Sequence, residues 1–229
     1  MFGKARVYQV LDDDGAPVRL LEVGGIVQSG TYLDDERYTE LVFEYLKRYD
    51  VMFEGEHPVR RALVLGCGGY DYPEHLIAHY PDVVVDAVEI DPAITAIARQ
   101  YFFLDRVIEE FETEQTGRLN LICDDALAFL QASDQRYDAI VNDTFDSGTP
   151  PAHLTTPAFA RAVHEHLNPG GMYLTNVVSA LEGPHSAFLH EQMAMLEAEF
   201  GNVRALPCAE DTLTEPDNVI VVCEAIGWN

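Results

Sequence analysis

Four sets of residues in this chain have the type and spacing to do chemistry. The first is a glycine turn, LVLGCGGYD, in which an apolar strand ends in Gly66, Cys67, Gly68 and Gly69 and leads into a helix. Glycines at the carboxyl end of a strand let the backbone approach a ligand closely and turn tightly into a helix N-terminus. The second is Glu89, followed by Ile90, at the end of VVVDAVEID. It stands twenty-three residues after Gly66, where an acid accepts both hydroxyl protons of a ribose. The third is Asp124, Asp125 and Ala126, closing LNLICDDA; an acid at the position of Asp125 accepts a hydrogen bond from an adenine amino group. The fourth is the pair Asp143 and Asp146 at the end of YDAIVNDTFD. Two carboxylates three residues apart beyond one strand can face one small cavity, or they can simply cap the loop before the next helix.

The first three sets describe a nucleoside pocket, and the glycine turn sets its type. A dinucleotide fingerprint reads G-x-G-x-x-G, but here the third glycine position is Asp71, with Tyr70 and Tyr72 crowding the helix start. That mismatch favours a mononucleoside without a pyrophosphate over NAD. The competing reading, a glycine turn and ordinary strand-end acids in a nucleotide-free fold, leaves the spacing unexplained.

Such residues must be positioned by regular elements. From residue 60 onward, strand-like and helix-like segments alternate, with Asp91 and Pro92 opening one helix, Thr156 and Pro157 another, and NPGG at 168 to 171 closing that second one. Repeated strand and helix units imply an α/β, Rossmann-like fold with a mostly parallel seven-stranded sheet covered on both faces. NVRALPC and NVIVVCE follow at the end with too short a connection for a crossover, so they pair antiparallel. Before the core, ARVYQVL and PVRLLEV flank the turn residues Asp12 to Gly15, and GGIVQSGTYL offers a third strand. Tyr38, Leu41, Val42, Tyr45, Leu46 and Tyr49 recur at helical spacing after Asp34 and Asp35, which predicts an amphipathic connecting helix. The reading is a small N-terminal β appendage with its helix at 1–52 and a nucleoside-binding catalytic domain at 53–229.

Composition narrows the partners. The chain has 229 residues, 14 basic and 39 acidic, for a net charge of −25. That sign repels phosphates, which argues against nucleic acid, and it attracts cations such as a small-molecule amine. The apolar runs fit strands and not membrane spans. No signal-peptide pattern opens the sequence, and four cysteines without a CxxC pair suit buried thiols in a reducing, cytoplasmic setting. His75 and His79 share a helix face but lack a third ligand, so no metal is expected. The exposed β appendage offers a homodimer surface.

The segment YDAIVNDTFDSGTPPAHLTTPAFARAV resembles the spermidine synthases, the polyamine aminopropyltransferases, in which a strand ends in D-x-x-D before a proline-rich gate loop. GGIVQSGTYLDDERYTE resembles the family's G-x-x-Q segment with its following Y-x-E. The family is a branch of the class I S-adenosylmethionine-dependent methyltransferase superfamily, so the resemblance implies that fold. It also implies decarboxylated S-adenosylmethionine or S-adenosylmethionine as co-substrate. By the same resemblance Gln28 lies near the sulfonium and Tyr38 borders the amine site. Glu89 holds the ribose, Asp125 holds the adenine, Asp143 orients and deprotonates the attacking amine, and Asp146 holds the amine's far end.

Three departures bear on the reaction. Where the family places an aspartate for the aminopropyl ammonium, this chain has Gly69; Asp71 is two residues away. Ser147 and Gly148 intervene before the gate prolines, and Glu215 precedes Pro216 where the family has tyrosine. Loss of the aspartate implies weak discrimination between the two nucleotides. The expected function is therefore aminopropyl transfer to an amine in polyamine biosynthesis, with methyl transfer to a small nucleophile as the first alternative. A non-catalytic nucleoside-binding homologue is the second.

Overall fold

A computed structural model describes residues 3–55, 57–145, 149–209 and 213–225. Three strands, β1 (Ala5–Leu11), β2 (Pro17–Val23) and β3 (Ile26–Tyr32), form an antiparallel meander. The predicted turn joins the first two: Asp12 Oδ1 accepts the backbone N–H groups of Asp14 and Ala16.

The connecting helix is largely absent. Turns run from residue 34 to 43, followed by one helical turn, α1 (Glu44–Lys47), and a 3-10 segment at Arg48–Phe53. Tyr38, Leu41, Leu46 and Tyr49 are nevertheless buried. Local side-chain bonds and tertiary partners override the helical period. Asp34 accepts the Glu36 N–H, Thr31 Oγ1 donates to the Tyr38 carbonyl, and the Tyr38 hydroxyl donates to Glu110.

The core alternates as its sequence implies. In order come β4 (Arg61–Leu65), α2 (Asp71–His79), β5 (Val84–Glu89), α3 (Pro92–Tyr101), α4 (Leu104–Glu110), α5 (Thr113–Thr116), β6 (Leu119–Cys123), α6 (Ala126–Ala132) and β7 (Tyr137–Asn142). Then follow α7 (Pro157–Glu165), β8 (Leu167–Ser179), α8 (Ala187–Phe200), β9 (Gly201–Pro207) and β10 (Asp217–Ala225). The sheet order is β6-β5-β4-β7-β8-β10-β9, with β10 antiparallel to both neighbours. Asp91 and Thr156 cap α3 and α7 as expected, each ahead of a proline.

NPGG behaves differently from its sequence reading. It lies inside the start of β8, where Tyr137 pairs Leu167 and Ala139 pairs Met172, so the intervening residues bulge out of register. Gly170 takes φ +79°, and the Asn168 amide donates to Asp138.

One apolar core lies on each face of the sheet. The first joins Leu21 and Val23 of the meander, through Tyr49 and Met52, to Val64 and Leu76 of the Rossmann-like unit. The second packs Leu63, Leu65 and Ile140 against Leu130, Phe159 and Val163. Strand order reverses between β4 and β7, which opens a crevice at their carboxyl ends, the position where open α/β sheets bind ligands.

Candidate active site

The glycine turn is built by close approach. Gly66 has φ +79°, and a Cβ there would lie 2.7 Å from the Asp143 carbonyl oxygen, so the ends of β4 and β7 meet only because the side chain is missing. The Gly66 N–H donates to the Val88 carbonyl, and the Cys67 N–H donates to Glu89 Oε2 at 3.1 Å. Glu89 Oε1 accepts the Asp91 N–H at 2.9 Å. One carboxylate thus ties the glycine turn to the loop after β5. Burial raises the Glu89 carboxyl above its ordinary value, while these backbone donors pull it down.

These elements enclose a cavity of about 840 Å³ at the carboxyl ends of β4 to β7, roofed by the meander. Gln28, Gly66, Cys67, Gly68 and Glu89 line it, as do Ile90, Asp124, Asp125, Ala126 and Asp143. Gly69 does not. Its backbone N–H donates to Ser29 Oγ at 2.6 Å, and a Cβ would meet Asp71, Phe102 and Ser29 within 3.0 Å. The chain turns away from the cavity there, and Tyr70 then adopts φ +68°, anchored by its hydroxyl to Thr95. Asp146 falls outside the described residues.

Tyr38 is also displaced from the expected site. It stacks edge-on against Phe103 beneath Arg106, its hydroxyl is bound to Glu110, and it is not part of the cavity wall. Tyr45 takes a place at the wall and donates its hydroxyl to Asp143 Oδ2 at 3.0 Å. The Asn176 amide donates to Asp143 Oδ1, also at 3.0 Å, and in turn donates to Asn218 Oδ1. Burial raises the Asp143 carboxyl above its ordinary range, and these neutral donors offset only part of that. The residue is therefore held in one orientation and made a stronger proton acceptor. Asn176 and Tyr45 carry no distinguishing signal in the sequence, where Tyr45 reads as one apolar position of a helix.

A third residue at the reacting end is Asp71, which the sequence offers only as a less favoured stand-in, two residues off, for the missing aspartate. Its side chain lines the cavity, and Oδ2 accepts the Gly30 N–H at 2.9 Å. Desolvation, with the Asp143 charge as a smaller contribution, pushes its carboxyl up from 3.8 to about 7. Because the folded value is raised, the neutral form stabilises the fold; that contribution is complete below pH 4 and is lost as pH rises through about 7. Asp71→Asn, neutral throughout, is expected to unfold at a higher temperature than the parent at pH 8 and at nearly the same temperature at pH 4.5. The gain at pH 8 should be about 1 to 3 kcal/mol, below the full shift because the group borders an open cavity. Thermal unfolding at the two pH values measures it.

Comparison with known proteins adds the family. Residues 41–206 match the model of the spermine/spermidine synthase domain. A probable polyamine aminopropyl transferase of Bifidobacterium longum is 32% identical over 146 residues, which is 63% of this chain and 30% of that protein. The chain spans 30%, 38% and 51% of the length of three curated polyamine aminopropyltransferases it matches. A probable spermidine synthase structure from Corynebacterium glutamicum superposes with TM-score 0.77 at 20% identity, covering 97% of this chain and 80% of that one. Human methyltransferase-like protein 13, solved in complex with SAH, superposes with TM-score 0.60 at 24% identity, covering 80% and 78%. At those identities the two structures speak for the fold alone. A domain match over most of the chain, on a fold with this strand order and this glycine turn, means that the chain belongs to the spermine/spermidine synthase family.

Proposed function

We propose that this chain transfers the aminopropyl group of decarboxylated S-adenosylmethionine to an amine. The observation that carries the proposal is Asp143, oriented by Tyr45 and Asn176 in a cavity that a second carboxylate, Asp71, also lines, with the Gly30 N–H bound to it. A protonated amine has no lone pair. Asp143 takes its proton, the freed nitrogen attacks the carbon beside sulfur, and the C–S bond breaks with its electron pair leaving on methylthioadenosine. The sulfonium is a strong leaving group, so orientation and charge supply most of the acceleration. Asp71 faces the donor's ammonium, the role that its position in the sequence obscures. The net charge of −25 concentrates cationic substrates at the surface.

The same cavity suits S-adenosylmethionine, and the fold shared with an SAH-bound methyltransferase favours methyl transfer as the second reading. Products decide between them. Incubation with each nucleotide and a diamine, followed by mass spectrometry, should release methylthioadenosine and an aminopropylated amine. Release of S-adenosylhomocysteine with a methylated product would establish the alternative.

Glu89 is assigned to the ribose. Glu89→Ala should weaken methylthioadenosine binding by about 1.5 to 3 kcal/mol, the scale of lost hydrogen bonds to a charged group. Glu89→Gln, whose single side-chain oxygen still accepts from one of the Cys67 and Asp91 N–H groups, should lose less. Calorimetric titration tests both, and an unchanged affinity in the alanine variant would place the nucleoside elsewhere.

A further inference from the structure

Asp125 and His153 meet at the far end of the same cavity, and the pairing has no part in the transfer chemistry. Asp125 Oδ1 is committed to the N-terminus of α6, accepting the Leu127 and Ala128 N–H groups at 3.0 Å each. The other oxygen, Oδ2, lies 2.8 Å from His153 Nε2. An ionised carboxylate only accepts, so Nε2 carries the hydrogen. Both side chains line the cavity, and His153 is about half exposed.

The segment that carries His153 is firmly placed from behind. Leu154 is buried in the second core beside Ala126 and Phe159. Thr156 Oγ1 donates to the His153 carbonyl, and Thr155 Oγ1 donates to that of Ala152. The imidazole thus reaches forward from a fixed backbone to the one carboxylate oxygen left over by the helix cap.

We infer that His153 is a positioning residue for base recognition: it holds Asp125 Oδ2 so that its remaining lone pair accepts from the 6-amino group of a purine. This rests on the nucleoside reading of the cavity. A 6-oxo purine presents an acceptor to the same oxygen and is repelled, so the pair selects aminopurines over oxopurines. With His153 removed, Asp125 keeps its cap but Oδ2 turns to water, and the discrimination falls.

The test titrates 5′-methylthioadenosine and 5′-methylthioinosine into the parent protein, His153→Ala and His153→Gln. The parent should prefer the amino compound. His153→Ala should lose about tenfold in affinity for it, the scale of one hydrogen bond to a charged group, with little change for the oxo compound. His153→Gln restores a side-chain N–H donor and should recover much of the preference. Equal weakening of both nucleosides, no change for either, or no recovery in the glutamine variant would overturn the inference. Failure of the parent to bind either nucleoside would instead overturn the reading of the cavity.

Discussion

Asp143→Asn should lower turnover by roughly 10²-fold or more while leaving methylthioadenosine affinity almost unchanged, the pattern of removing a group that acts in the transition state. The variant is structurally mild. The asparagine oxygen can accept from one of the two present donors, and the Tyr45 hydroxyl can reverse to accept from the new amide. The Gly66 approach involves the backbone of residue 143 and is retained. Tyr45→Phe removes one of the orienting bonds and should cost less, through turnover more than KM. Single-turnover measurements with saturating nucleotide separate these effects from product release. A fully active Asp143→Asn enzyme would end the aminopropyl-transfer mechanism proposed here.

Asp71→Asn should abolish a marked preference for the decarboxylated nucleotide. Decarboxylated S-adenosylmethionine ends in a bare ammonium, whereas S-adenosylmethionine carries a carboxylate beside it, so a nearby aspartate attracts the first and repels the second. Two unit charges about 4 Å apart interact by about 4 kcal/mol at an effective dielectric of 20, an upper bound that solvent in the cavity reduces. The expected result is parent selectivity of at least tenfold, rising from pH 6 to pH 8 as the Asp71 carboxyl, at about 7, ionises. In Asp71→Asn the selectivity and its pH dependence should both disappear. This reverses the weak discrimination implied by Gly69, because that residue points away from the cavity. A carboxylate at position 69 would collide with Asp71, Phe102 and Ser29, so Gly69→Asp is expected to destabilise the turn rather than add selectivity. Titration of both nucleotides at both pH values decides the matter, and a parent that binds them equally would remove Asp71 from ammonium recognition.

The sheet, and the wall of the cavity formed by the glycine turn and the strand-end acids, were legible in the sequence. Glycines, strand-end acids and proline-opened helices act through local backbone chemistry, so Gly66, Glu89 and Asp91 take places that spacing along the chain dictates. Two short antiparallel closing strands follow from loop length alone. The tertiary structure decided the reacting end. Tyr45 and Asn176 reach Asp143 from residues 98 and 33 positions away in the chain, and no local pattern encodes such a contact. Tyr38 and Tyr45 both read as apolar positions of one helix, but Tyr38 lies in the turns before residue 44 and Tyr45 in the single turn of α1, and their hydroxyls pack against Glu110 and Asp143 respectively. Asp71 and Gly69 exchange places for the same reason. Counting along the motif assumes the family's path, whereas Ser29 and Gly30 of the meander grip the Gly69 N–H and the Asp71 carboxylate and so choose which side chain faces the ligand.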